Sequence, residues 1–357
     1  MRRLALLAIC LIAMPFVADA QRSEQLLERG WRFTRQDCAD FKELGYDDSS
    51  WQEVVVPHDW AIYGPFSIHN DQQHVAITQD GQHEAMEHAG RTGGLPFVGV
   101  GWYRLDFEIN DFGEGRCATL IFDGAMSQAR VYVNGVEVGF WPYGYNSFHF
   151  DVTPYVREGV NELAVRLENE NDSSRWYPGA GLYRNVHLLL TDEVHVPVWG
   201  TQLTTPTITD DYAKVVLRTK VTMPEGVKRE ECRILTTIND PDGRVVATAE
   251  GFLSRYETDL FEQSIDIADP LLWSVDEPRL YSASSQIFVG EELRDQYTTR
   301  FGIRTLEIIP DKGMFLNGEP TKFKGVCNHH DLGPLGAAVN EAAIRRQIRI
   351  MKDMGCN

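Results

Sequence analysis

Two Asn-Gly dipeptides, each set among short runs that alternate apolar and polar residues, constrain this chain more than any other feature. Asn134-Gly135 joins residues 128–133 to residues 136–138, and Asn317-Gly318 lies within the run 314–320. A two-residue hairpin turn needs positive φ at both central positions, which Asn and Gly adopt at low cost. Each dipeptide therefore predicts two antiparallel strands paired across a tight turn. Period-two runs recur at residues 101–109, 118–122, 146–152 and 161–167. Many short strands with regular turns predict a β-sandwich or jelly roll from Trp31 to about residue 190.

A second β-rich unit runs from about residue 198 to 304. Val215, Leu217, Thr219 and Val221 fall on one face of a strand, and residues 232–238 form another. Asp240-Pro241-Asp242-Gly243 is a turn, because Pro fixes φ and Gly tolerates the left-handed region. Runs at 244–249, 260–267, 280–288 and 296–303 bring the count to about six or seven strands, which fits an immunoglobulin-like β-sandwich.

The tail changes character. The 314–320 hairpin is followed by an expected strand at 322–327, a polar loop, and a helix with Ile344, Ile348 and Met351 on one face. Asn340 suits its N-cap and Gly355 its stop. A strand, a loop and a helix make the first unit of an α/β repeat, and one such unit cannot bury its own faces. Residues 305–357 thus read as the truncated start of a third domain.

At the other end, Arg2 and Arg3 precede an apolar run from residue 4 to 17, and Ala18-Asp19-Ala20 closes it with small residues. This pattern predicts a secretory signal peptide over residues 1–20, cleaved after Ala20. The alternative, a membrane anchor, asks a short run to cross about 30 Å of hydrocarbon. Cys10 would suit a lipoprotein site, but the bulky Ile9 precedes it. The expected mature chain is periplasmic or secreted, with no membrane association after cleavage. Five cysteines would remain, at 38, 117, 232, 327 and 356. Odd in number and widely spread, they predict no disulfide framework and read as small buried hydrophobes.

The net charge is −18, from 34 Lys and Arg against 52 Asp and Glu. Such a surface repels phosphate backbones, so no nucleic acid is expected as a partner.

Five segments carry a family resemblance. They are Val56-Pro57-His58-Asp59-Trp60, Gly99-Val100-Gly101-Trp102-Tyr103-Arg104, the segment 173–186 around Arg175-Trp176-Tyr177-Pro178-Gly179, Phe301-Gly302-Ile303-Arg304, and Lys324-Gly325-Val326-Cys327-Asn328-His329-His330-Asp331. In this order and spacing the chain resembles glycoside hydrolase family 2, the β-galactosidase, β-glucuronidase and β-mannosidase group. The resemblance implies a mainly β architecture: a jelly-roll sugar-binding domain (21–197), an immunoglobulin-like β-sandwich (198–304), and the truncated start of a (β/α)8 TIM barrel (305–357). It also implies retaining hydrolysis by two carboxyl groups about 5–5.5 Å apart. In the family both are glutamates of later barrel strands, beyond Asn357, so no residue of this chain is expected to be catalytic. Glu168 and Glu170 read as solvated charges at a strand end.

The same resemblance selects candidate substrate-binding residues. His329 matches a family histidine that contacts the glycone after the first barrel strand, and the carboxyl ends of barrel strands carry the active site. The alternative is a loop histidine satisfied by backbone. Asn328 and His330 are its neighbours, and a metal role for His329-His330-Asp331 lacks the usual ligand spacing. Arg175 and Trp176 lie where the family's sugar-binding domain reaches the barrel mouth; Trp176 serves equally as a buried ring closing the sandwich. Asn171 or Asp172 supplies a polar glycone contact. The long segment 65–97, with His69, His74, His83 and His88, is expected to form a flap hinged at Gly93-Gly94.

A β-galactoside is the preferred carbohydrate substrate, on the likeness of residues 327–333 and 93–96 to β-galactosidase relatives. Cys327-Asn328 departs from the Asn-Arg found before the histidine in the best-known bacterial β-galactosidases, and β-glucuronidase, β-mannosidase and a non-catalytic carbohydrate-binding protein stay open. Relatives often use Mg²⁺, Na⁺ or Ca²⁺, with ligands expected downstream, so no cofactor is assigned to this chain. A homo-oligomer stays open as well.

Overall fold

A computed structural model describes residues 22–67, 69–70, 97–171, 176–253 and 259–357. Residues 1–21 (the expected signal peptide among them), Arg175, Asp172 and all but the ends of the 65–97 segment lie outside the described residues.

Among the described residues the first unit contains ten strands: β1 Ser23–Leu26, β2 Trp31–Thr34, β3 Gln52–Val54, β4 Gly99–Ile109, β5 Arg116–Phe122, β6 Ala129–Val133, β7 Val136–Trp141, β8 Phe148–Asp151, β9 Gly159–Asn169 and β10 Val186–Asp192. They form a six-stranded sheet in the order β3-β2-β4-β9-β6-β7 and a four-stranded sheet in the order β1-β10-β5-β8. Alternation places Tyr103, Leu105 and Phe107 of β4 and Leu163, Val165 and Leu167 of β9 inward, against Leu120 and Phe122 of β5 and Leu188 of β10. Each buried side chain of this size contributes about 1.5–3 kcal/mol of transfer free energy. Phe122 and Phe148 stack with centroids 4.8 Å apart.

The first Asn-Gly turn forms as expected. Val133 pairs with Val136, and Asn134 and Gly135 have φ of 50° and 84°. The Asn134 side chain also accepts from the Glu162 amide at 3.0 Å and donates to the Tyr155 carbonyl at 2.8 Å, which ties the turn to β9.

Among the described residues the second unit contains seven strands: β11 Thr201–Ile208, β12 Tyr212–Lys220, β13 Cys232–Asn239, β14 Val245–Phe252, β15 Leu260–Ala268, β16 Tyr281–Val289 and β17 Glu292–Phe301. Sheets β11-β12-β15 and β14-β13-β16-β17 face each other. Val215, Leu217, Thr219 and Val221 are all fully buried, on the one face their spacing required. The loop after β13 closes through Gly243 at φ 84°, while the Asp240 carboxylate accepts from the amides of Asp242 and Arg244.

A buried ion pair fastens the two units together. Asp295, fully buried on β17, receives Nε and Nη2 of Arg22 at 2.8 and 2.9 Å and the Val196 amide at 2.7 Å. Arg294 reaches Asp192 at 3.2 Å beside it.

A three-stranded sheet follows, from β18 Leu306–Ile309, β19 Gly313–Leu316 and β20 Glu319–Pro320, turning through Asn317-Gly318 with φ of 52° and 79°. The Asn317 side chain accepts from the Thr305 amide and donates to the Trp273 carbonyl, each at 3.0 Å. Helix α1 spans Glu341–Asp353, capped by Asn340, whose side chain accepts from the Ala343 amide at 3.0 Å.

Residues 322–327 do not form the expected strand. A strand exists only when neighbours pair with it, and among the described residues it is Asn357 that does so, through its amide to the Lys324 carbonyl and its side chain to Lys322 and Lys324. The apolar face of α1 is likewise uncovered, with Ile348 exposed. The five cysteines among the described residues are free, but of these only Cys232 is buried. Cys38 and Cys327 are exposed, which corrects the reading of these as core residues. Among the described residues no helix is long and apolar enough to cross a membrane.

Candidate functional site

The segment 56–60 lies against the end of the first sandwich. Its backbone pairs with the closing segment, His58 N to Leu182 O at 2.8 Å and Trp60 N to Ala180 O at 3.1 Å. This turns the Asp59 side chain into the junction with the residues that follow the 306–320 hairpin. Asp59 is 2% exposed. One carboxylate oxygen accepts from the amides of Ala61 and Ala180, both at 3.0 Å. The other accepts from the Tyr177 hydroxyl at 2.5 Å and from the Ala337 amide at 2.8 Å. Burial raises the carboxyl above its usual range, and the four donated hydrogen bonds pull the other way.

The approach is close enough to demand glycine at two positions. A Cβ on Gly179 would sit 2.3 Å from that of Ala337, and one on Gly336 would sit 2.3 Å from Oδ2 of Asp59. Both glycines have positive φ, 71° and 60°.

Two more bonds weld the loop to the sandwich. His330 Nε2 lies 2.8 Å from the Pro178 carbonyl, and the Val339 amide donates to the Tyr183 carbonyl at 2.9 Å. The loop between β7 and β8 is drawn in too, since the Tyr183 hydroxyl donates to the Gly144 carbonyl at 2.8 Å. Burial pushes that hydroxyl up to about 12.

Around this weld the rings gather. The Trp176 indole lies 5.3 Å from the His329 imidazole, centroid to centroid, and 6.3 Å from the Tyr145 ring. Tyr145 and Tyr183 flank His330 at 5.5 and 5.7 Å. Two of the sequence candidates, His329 and Trp176, are thereby brought side by side. His329 is exposed, while His330 is half-buried with Nε2 occupied. Asn328 is exposed next to them, and Arg175 lies outside the described residues. An open imidazole beside an indole can hydrogen-bond sugar hydroxyls while the ring takes the apolar face of a pyranose.

Sequence reasoning singled out neither Asp59 nor Tyr145 individually. An acid within the largely apolar Val56-Pro57-His58-Asp59-Trp60, beside one histidine, was the available signal, since a buried carboxylate is normally partnered. Behind Asp59, His58 is bonded through Nδ1 to the Tyr103 hydroxyl at 2.8 Å, and burial pulls its imidazole down to about 4. Among the described residues no three His, Cys, Asp or Glu side chains converge as metal ligands.

Two models of one family cover most of the chain. The sugar-binding domain of glycosyl hydrolases family 2 matches residues 25–192, and the glycosyl hydrolases family 2 model matches residues 196–304. The chain belongs to glycosyl hydrolases family 2. This family 2 chain is 39% identical over 345 residues to the β-galactosidase BoGH2A of Bacteroides ovatus, covering 96% of the chain and 38% of that protein. It is 28% identical to a β-glucuronidase of Bacteroides fragilis, covering 95% of the chain and 46% of that protein. The crystal structure of a family 2 member from Bacteroides cellulosilyticus superposes with a TM-score of 0.83 at 34% identity, covering 94% of the chain and 42% of that structure. The family 2 chain thus spans less than half the length of these relatives.

Proposed function

We propose that this chain is the N-terminal part of an exported retaining β-glycosidase of β-galactosidase type, which removes terminal β-galactosides. The observation that carries the reading is the pairing of His329 with Trp176 at a junction built around Asp59. It sets an exposed histidine, which this reading assigns to the first loop of a barrel, beside an aromatic ring of the sugar-binding sandwich. In this reading Trp176 stacks on the glycone and His329 hydrogen-bonds a ring hydroxyl, tightening as oxocarbenium character develops. The acid/base and nucleophilic carboxyl groups belong to the barrel of the whole protein. The 39% identity to a β-galactosidase supports galactose as the glycone.

The test is a panel of nitrophenyl β-galactoside, β-glucuronide and β-mannoside offered to the purified full-length protein. The highest kcat/KM is expected on the galactoside. A preference for the glucuronide would transfer the assignment to the β-glucuronidases, and failure on all three would overturn the glycosidase reading.

A further inference from the structure

The loop between β7 and β8 carries two tyrosines, Tyr143 and Tyr145, that the proposed glycone contacts do not use. This loop, residues 142–147, is held along its whole length. The Gln128 amide donates to the Pro142 carbonyl at 3.1 Å, and the Tyr183 hydroxyl to the Gly144 carbonyl at 2.8 Å. Arg184 Nη1 donates to the Tyr145 carbonyl at 3.4 Å, and the Ser147 hydroxyl to the Asp123 carbonyl at 3.1 Å. Gly144 is packed so closely that a Cβ there would collide with Sδ of the buried Met126. Side chains on a backbone fixed in this way meet a ligand at little ordering cost.

Tyr143 sits between two of these anchors, yet it is 53% exposed. Its ring lies 5.4 Å from that of Tyr145, which lies 6.3 Å from Trp176, itself 5.3 Å from His329. Four rings thus run from the glycone contacts out along the loop, each at the spacing of an aromatic pair. The band is exposed at both ends, at His329 and Tyr143, and half-buried between them.

Neighbouring planes in the band are inclined at 54°, 56° and 59°. A single flat ligand cannot lie on planes so inclined, whereas pyranose rings joined through a glycosidic oxygen turn relative to one another. None of these four side chains is a lysine or an arginine, so the band offers no fixed cation to an acidic sugar.

We propose that Tyr143, backed by Tyr145, is the platform for the sugar to which the glycone is attached, so that the substrate is a terminal β-galactoside on a neutral oligosaccharide. This rests on the β-galactosidase reading, in which Trp176 takes the glycone. The open ring of Tyr143 stacks on the C–H face of the leaving sugar. It touches substrate only when a leaving sugar is present.

The test is hydrolysis by the full-length protein of β-galactosyl fluoride, which has no leaving sugar, and of a set of β-linked galactosyl-glucose disaccharides. Tyr143→Ala should lower kcat/KM on the best-cleaved disaccharide roughly tenfold more than on the fluoride. Tyr143→Phe keeps the ring and should keep most of the wild-type preference for the disaccharide. Tyr143→Leu keeps bulk without a ring and should behave as the alanine variant does; it serves in its place if Tyr143→Ala loses its fold, judged from the urea midpoint. An equal loss on the two substrates, or disaccharide turnover like wild type, overturns the proposal. So does a wild type that cleaves the fluoride but none of the disaccharides. A wild type inactive on the fluoride overturns the β-galactosidase reading itself, and the Tyr143 platform with it.

Discussion

Replacing Asp59 by alanine should be among the most damaging single changes in this chain. The carboxylate accepts four hydrogen bonds, from the amides of Ala61, Ala180 and Ala337 and from the Tyr177 hydroxyl. Ala61, Ala180 and Ala337 are 1% exposed or less, so water cannot replace the lost acceptor without opening the junction. A stranded buried donor costs about 1–3 kcal/mol, which puts the three amides together at about 3–9 kcal/mol. Removing the buried charge returns part of this, since burial is what raises the Asp59 carboxyl. The expected net loss for Asp59→Ala is about 4 kcal/mol, at the exceptional end for a point mutation.

Asp59→Asn keeps one oxygen for Ala61 and Ala180 but turns an amide donor toward the Ala337 N–H, and should cost about 2 kcal/mol. The assay is urea unfolding followed by fluorescence of the chain's eight tryptophans. Trp60 sits one residue away in the same segment and reports the junction directly. Loss of less than about 1 kcal/mol by Asp59→Ala would refute the argument that the carboxylate holds the junction together.

The remaining predictions concern pH, the joint between the sandwiches, and the chain by itself. His58 is neutral when folded, with its imidazole at about 4, and protonates more readily when unfolded. Its contribution is therefore complete above its ordinary pKa and is lost as pH falls from about 6.5 toward 4, by about 3 kcal/mol in all. Urea midpoints across that range should fall less steeply in His58→Asn, and an unchanged slope would refute the assignment. Asp295→Ala strands the Arg22 guanidinium and the Val196 amide, and should lower stability by about 3 kcal/mol in thermal unfolding. The 357-residue chain alone should not hydrolyse nitrophenyl β-galactoside. Reproducible turnover would show that its own carboxylates suffice.

Much of this fold was legible because strand alternation and turn chemistry are local. Asn134-Gly135 and Asn317-Gly318 each fold as the dipeptide requires, and the buried face of β12 is the one its spacing specified. What was missed lacks a local signature. Ser23–Leu26 is exposed at every position, so β1 carries no alternation and is held only by pairing with β10. Residues 322–327 carry a strand-like sequence, but a strand needs neighbours. The junction is the clearest case. Asp59 and Ala337 lie 278 residues apart, and no spacing rule links them. The likeness of residues 56–60 and 324–331 to family segments located both sides of the junction but not the bond between them.

The account rests most heavily on the pairing of His329 with Trp176 as the sugar-contacting surface. The measurement that tests it directly is kcat/KM on nitrophenyl β-galactoside for the full-length protein and its His329→Ala and Trp176→Ala variants. A loss of roughly tenfold to hundredfold in each is expected, the scale of a removed polar or stacking contact to the transition state. Both folded variants turning over like wild type would contradict it.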